Sequence, residues 1–194
     1  MLVRHGRTAW NADGRYQGNA DVPLDETGRS QARYIARALE HVAFDCAVTS
    51  DLERARETAQ IVVGPRKIVL ERDARWRELN FGTWEGLTRG QIVARTPELQ
   101  TTPAPPFVTP EGGESFARLR TRISSALDTV YERTPDGGRA LVVTHAGPLH
   151  AVLRELLGDA EAAALGVVFV PASITKIRLD PDGATLLALN RSAR

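Results

Sequence analysis

The run FDCAVTS, Phe44 to Ser50, passes directly into DLERARETAQIVV, Asp51 to Val63. The first segment is a short apolar run suited to a buried strand, and the second reads as a helix. The same kind of element lies on either side. Upstream, Ala32, Ile35, Ala36 and Leu39 recur at helical spacing between Thr27 and His41, with Arg29, Arg33 and Arg37 off that stripe, the pattern of an amphipathic helix. Downstream, KIVLE, Lys67 to Glu71, reads as a second buried strand. After a gap come a long helix from Glu114 to Arg133, the strand ALVVTH from Ala140 to His145, and a helix from Pro148 to Leu157. Strands alternating with helices predict an α/β fold: a three-layer α/β/α sandwich around a mostly parallel sheet. At the far end, GVVFVPASITKIRLD and ATLLALN flank Pro181, Asp182 and Gly183, which predicts a C-terminal hairpin.

Between the two blocks, Arg72 to Gly113 contains Pro97, Pro103, Pro105, Pro106 and Pro110. Proline at that density stops both helix and central strand. The expectation is one domain over residues 1–194 with a lid-like insertion at about 86–113. A length of 194 residues suits one domain, and a chain of this size buries roughly 70% of its unfolded surface. No internal repeat is visible.

Lys and Arg number 25 against 24 Asp and Glu, so there is no broad basic footprint and no nucleic acid is expected as a partner. The single cysteine, Cys46, excludes an intramolecular disulfide framework and a thiolate cluster, and points to the cytoplasm. No apolar run reaches the length of a spanning helix, and Arg4, His5 and Arg7 interrupt any secretory h-region, so no membrane association is expected.

Only MLV precedes RHG at the start of the chain. A buried strand running into Arg4, His5 and Gly6 places polar side chains at the carboxyl end of the sheet, where open α/β folds bind ligands. RHGRTAWN (Arg4 to Asn11), the later YQG and PLDETG, SDLERARETA (Ser50 to Ala59), ELNFGTWEG (Glu78 to Gly86) and VTHAG (Val143 to Gly147) form one ordered set. Together they resemble the histidine phosphatase superfamily, the phosphoglycerate mutase-like group, in its small phosphatase branch. The resemblance runs from Leu2 to about Leu157. It implies that His5 is the nucleophile, that Arg4, Arg54 and His145 grip the phosphate with Asn11 as an added donor, and that Glu78 is the proton donor and acceptor. Gln17, Gly18 and Ala146, which lie in the same motifs, are the further substrate-binding candidates. No metal and no cofactor are implied.

These residue types fit the chemistry. A neutral imidazole attacks a phosphate dianion without opposing charge and forms a phosphoramidate that water can cleave. Arg4 and Arg54 disfavour the imidazolium and neutralise the phosphoryl oxygens, and their planar forks match phosphate geometry. The helix beginning near Gly147 and Pro148 offers free N–H groups as a further anion site. Expulsion of an alkoxide requires a proton donor, the role of Glu78; apart from the other motifs, Glu78 would read as an ion-pair partner of Arg75 or Arg77.

Other features read as structural. His41 ends a helix in a favourable, exposed position. His150 reads as wall or core, Cys46 as a small hydrophobe, and Trp84 and Glu85 as packing and cap residues. Leu52 stands six residues after Cys46, where a cysteine-based phosphatase would place Arg. LDPDGAT, Leu179 to Thr185, imitates the DxDG phosphatase signature but lies too late in the chain and is explained by a turn. Arg7, in place of an acidic or amide residue after RHG, either enlarges the positive field or faces solvent. Ala146 stands where glycine is frequent.

Phosphatase and mutase share a phosphohistidine and differ in whether water or a second anionic hydroxyl compound accepts the phosphoryl group. No Lys or Arg occurs from Thr96 to Ala117, which favours a phosphomonoesterase acting on small-molecule phosphate esters. The alternatives are a cofactor-dependent phosphoglycerate mutase and a non-catalytic phosphate-binding regulatory member. The identity of the ester stays open, and a homodimer is left as a possibility.

Overall fold

A computed structural model of the chain describes residues 1–100, 108–180 and 183–192. Its elements in chain order are β1 (Leu2–Arg4), α1 (Ala9–Ala12), α2 (Glu26–Ala38), β2 (Cys46–Thr49), α3 (Glu53–Val63), β3 (Leu70–Arg72), α4 (Arg89–Arg95), α5 (Phe116–Arg133), β4 (Ala140–Thr144), α6 (Ala146–Leu157), α7 (Asp159–Ala164), β5 (Ser173–Asp180) and β6 (Gly183–Ser192). The strands form one six-stranded sheet in the order β3-β2-β4-β1-β5-β6. The first four are mutually parallel, and β5 and β6 are antiparallel.

The layers follow from side-chain alternation along the strands. Leu2, Cys46, Val48 and Val142 face Leu119, Ile123, Ala126 and Val130 of α5 and Leu149, Val152 and Leu153 of α6 in one apolar cluster. Their neighbours Val3, Ala47, Leu141 and Val143 face Ile35 of α2 and Ala55, Ala59 and Val62 of α3 in a second. This is the expected α/β/α sandwich. The predicted hairpin is β5 and β6, although its turn residues Pro181 and Asp182 lie outside the described residues, as do Pro103, Pro105, Pro106 and Phe107. Among the described residues no helix is long and apolar enough to cross a membrane.

Three expectations need correction. KIVLE is not a second buried strand: β3 covers only Leu70 to Arg72, pairs with β2 alone, and leaves Val69 77% exposed. An apolar run does not distinguish a central strand from an edge strand, which has a neighbour on one side. The proline-rich stretch is also not free of helix. Thr88 and Gln91 form a reciprocal capping box that starts α4, and Ile92 and Leu99 pack with Trp84 in a third small cluster. Finally, α2 ends at Ala38, so His41 lies beyond the helix, exposed beside Glu40.

Leu141 is fully buried on β4, in the middle of the sheet. Leu141→Ala is expected to lower unfolding free energy by about 2–5 kcal/mol. Leu179→Ala, at a position 39% exposed, should change it by less than about 1 kcal/mol, both read from chemical denaturation.

Candidate active site

Sheet register brings the site together. Arg4 pairs with Thr144 and Thr49 with Val143, so β1, β4 and β2 end within a residue of the same level. The next residues along these strands are His5, His145 and Ser50. The His5 N–H donates to the Thr144 carbonyl at 2.9 Å and the Ser50 N–H to the Val143 carbonyl at 3.0 Å. The two imidazole centroids stand 5.0 Å apart, and both rings are buried.

His5 Nδ1 lies 2.7 Å from the Gly6 carbonyl oxygen. A carbonyl only accepts, so Nδ1 carries the proton, and in the neutral ring Nε2 holds the lone pair. Burial, followed by the charges of Arg54 and Arg4, holds this imidazole well below its ordinary range. His145 is pushed in the same direction, by burial and then by Arg54, His5 and Arg4. Its Nε2 is 2.8 Å from the Ser50 hydroxyl, whose oxygen accepts from the Leu52 N–H.

Arg54 comes from the first turn of α3 and is fully buried. Nη1 and Nη2 donate to the carbonyls of Ala20 and Gly18 at 2.8 and 2.7 Å. Burial brings its pKa down to about 10, so it stays charged at neutral pH. Arg4 donates to the Phe169 carbonyl. Among the described residues the buried Arg4 Nε, Arg54 Nε and His145 Nδ1 have no hydrogen-bond partner. Buried polar groups normally find one. These three belong to groups that act electrostatically on the same imidazole or form its ring neighbour, a setting suited to an anion.

Glu78 does not pair with Arg75 or Arg77, which bind Asp73 and Asp51. Its Oε1 instead accepts from the Leu79 N–H at 2.8 Å and the Gly147 N–H at 2.9 Å, and its charge favours the protonated forms of both Arg4 and Arg54. The expectation of free amides at Gly147 and Pro148 is thereby corrected. The helix starts at Ala146, Gly147 serves the carboxylate, and proline has no N–H.

The remaining candidates line the supporting loops. Asn11 is the third residue of a capping box on α1, its Oδ1 accepting from the Thr8 N–H. Gln17 is buried and accepts from the Thr8 hydroxyl at 3.1 Å. Gly18 has φ +53°, and a Cβ there would lie 2.0 Å from Glu85 Oε1. The Glu85 carboxylate accepts from the N–H groups of Asn19, Ala20 and Phe81, so it anchors the loop that carries the carbonyl partners of Arg54. Ala146 is the first residue of α6. Arg7 is tied to Asp25 at 2.8 Å and to Thr27. His150 packs edge-on against Phe169. Sequence reading gave no role to Ser50, although a hydroxyl immediately after a buried strand was a usable signal, and none to Arg122, which donates to the carbonyls of Arg75, Arg77 and Glu78.

A family model described as the histidine phosphatase superfamily, branch 1, matches residues 1–192, and the chain belongs to that superfamily. It is 38% identical over 163 residues to a probable phosphoglycerate mutase, GpmB, of Yersinia enterocolitica, covering 81% of this chain and 74% of that one. Among solved structures it is similar to a mycobacterial glucosyl-3-phosphoglycerate phosphatase in complex with VO3, at 30% identity and a TM-score of 0.88, with 98% of each chain covered. It is also similar to a putative alpha-ribazole-5'-P phosphatase from Escherichia coli, at 28% identity and a TM-score of 0.86, with 98% of this chain and 95% of that chain covered.

Two measurements test this geometry. An added Cβ at Gly147 would lie 2.3 Å from Glu78 Oε1, so Gly147→Ala is expected to displace the carboxylate and destabilise the fold by about 1–3 kcal/mol in chemical denaturation. The second concerns pH. His5 and His145 have folded pKa values below the unfolded one, so the unfolded chain binds more protons as pH falls below about 6.5. Stability is therefore lost from pH 7 toward pH 5, at up to about 1.4 kcal/mol per pH unit for each ring. Melts across that range should show a shallower loss for His145→Gln than for wild type.

Proposed function

We propose that this chain is a metal-independent phosphomonoesterase for small-molecule phosphate esters, working through a phosphohistidine on His5. The observation that carries the reading is a buried, neutral His5 with its Nδ1 proton on the Gly6 carbonyl, beside Arg4, Arg54 and Glu78. Glu78, a carboxylate in the free site, takes up a proton when the phosphate anion binds beside it; Nε2 then attacks phosphorus as the ester P–O bond breaks, and Glu78 gives that proton to the departing oxygen. The ring becomes positively charged, and the Gly6 carbonyl stabilises its Nδ1–H. Water then attacks phosphorus, Glu78 takes a proton from it, the P–N bond breaks and its electrons return to Nε2. Arg4, Arg54 and His145 bind the phosphoryl oxygens throughout, with the Asn11 amide as a further donor and Gln17, Gly18 and Ala146 lining the site.

Hydrolysis is favoured over mutase exchange because no Lys or Arg occurs from Thr96 to Ala117, within and just beyond the segment 86–113 that we assign as a lid, and Arg7 is already engaged by Asp25. A substrate carboxylate thus finds no cation in Thr96–Ala117, and the two arginines of segment 86–113, Arg89 and Arg95, precede that stretch on α4, where Arg89 donates to the Leu99 carbonyl. Two similar proteins, one named a putative alpha-ribazole-5'-P phosphatase and the other a glucosyl-3-phosphoglycerate phosphatase, support the same reading.

Wild type is expected to hydrolyse p-nitrophenyl phosphate in the presence of EDTA. His5→Ala should fall to background, and Glu78→Ala should lose about 10²–10⁴-fold. Full activity in His5→Ala overturns the mechanism. Phosphoryl exchange between phosphoglycerates that requires added 2,3-bisphosphoglycerate and outpaces hydrolysis would assign the mutase reaction instead. Phosphate binding without turnover would assign a regulatory member.

A further inference from the structure

Glu78 reaches the site from an irregular segment, Arg77 to Phe81, that follows a short 3-10 turn over Ala74–Trp76. Such a segment lacks a ladder of its own to fix it, yet a general acid must be held to a fraction of an ångström. The described contacts show what holds this one. Arg122, on α5, has all five of its N–H donors engaged. Nη1 donates to the carbonyls of Arg75 and Arg77, Nη2 to the Glu78 carbonyl at 2.9 Å and to Glu114 Oε2 at 2.8 Å, and Nε to Glu114 Oε1 at 2.8 Å. Glu114 is itself tied to the same segment, its N–H donating to the Asn80 carbonyl at 2.9 Å. The pair is only partly exposed, with side-chain accessibilities of 21% for Arg122 and 17% for Glu114.

We propose that Arg122, oriented by Glu114, is a positioning residue for Glu78: it gathers three carbonyls of residues 75–78 onto one guanidinium and so aims the proton-donating carboxyl at the phosphoryl leaving group. The inference rests on the reading of Glu78 given above. Only the planar fork of arginine can serve this set. A lysine has three donors for five acceptors and leaves the carbonyls or the carboxylate under-satisfied. The Arg122 hydrogen bonds go to the carbonyls of Arg75, Arg77 and Glu78 and to Glu114; its charge also reaches His145, and Arg122→Lys keeps that charge while breaking the fork, so the variant reads the loss of aim at Glu78.

Proton donation matters most when the leaving group is a poor one, and that dependence separates aiming from mere structural support. kcat/KM is measured for phenyl phosphate and p-nitrophenyl phosphate in wild type, Glu78→Ala, Arg122→Lys, Glu114→Gln and, as a control, Arg120→Ala, an arginine of α5 paired instead with Glu155 and Asp159. Glu78→Ala is expected to lower the phenyl to p-nitrophenyl ratio by about tenfold or more. Arg122→Lys should lower it in the same direction, Arg120→Ala should leave it unchanged, and Arg122→Lys in the Glu78→Ala background should produce no further change in the ratio. If Arg122→Lys does not fold, Glu114→Gln gives the same reading. A ratio shifted by Glu78→Ala but untouched by the Arg122 and Glu114 variants overturns this inference alone. A ratio untouched by Glu78→Ala overturns the role of Glu78 and the inference with it.

Discussion

A guanidinium taken out of water is costly unless negative charge accompanies it, and among the described residues the fully buried Arg54 guanidinium donates to two peptide carbonyls, those of Ala20 and Gly18. Arg4 is held in the same manner by the Phe169 carbonyl. Carbonyl dipoles orient these cations without neutralising them, and Glu78, the carboxylate that favours both charges, is itself fastened to two backbone amides. A concentrated positive field therefore persists inside the sheet's carboxyl edge. The two imidazoles respond by staying neutral, which is the form with a lone pair to offer.

Much of the surrounding structure maintains that field. Glu85 fixes the loop whose carbonyls receive Arg54. The Thr58 hydroxyl donates to the Arg54 carbonyl and accepts from the Gly6 N–H, linking α3 to the residue that holds the His5 proton. Glycine is required where these elements meet. A Cβ on Gly28 would come within 2.1 Å of the Arg7 carbonyl oxygen, so the first turn of α2 could not approach the RHG loop with a larger residue. Tight approach of backbone to backbone is what lets so few residues carry two cations, two imidazoles and a carboxylate in one place.

The scaffold was legible in the sequence wherever a local pattern determined it. The apolar runs at Cys46–Thr49 and Ala140–Thr144 and the helical stripe on α5 match because both faces of the central sheet are covered, which leaves no ambiguity of burial. Lys67 to Glu71 misled because an edge position is a property of the neighbours and leaves no trace in composition. α4 was obscured by the prolines that follow it, though Thr88 and Gln91 carried a recognisable start signal. Arg4, His5, Arg54 and His145 could be picked out through the ordered motifs. The setting of Glu78 could not, because it is defined by an amide 69 residues away in sequence and by a guanidinium on α5.

β1 is three residues long and lies between β4 on one side and β5 on the other, both contributed by the last third of the chain. The Ala172 N–H, from a residue with φ +58° at the entrance to β5, donates to the His5 carbonyl and completes the support. β1 thus acquires both flanking strands only from segments far along the chain, Leu2 pairing with Val142 on one side and with Thr175 on the other. Closing the strand that leads into His5 is consequently a high-contact-order event, which sets the pace at which the site can assemble.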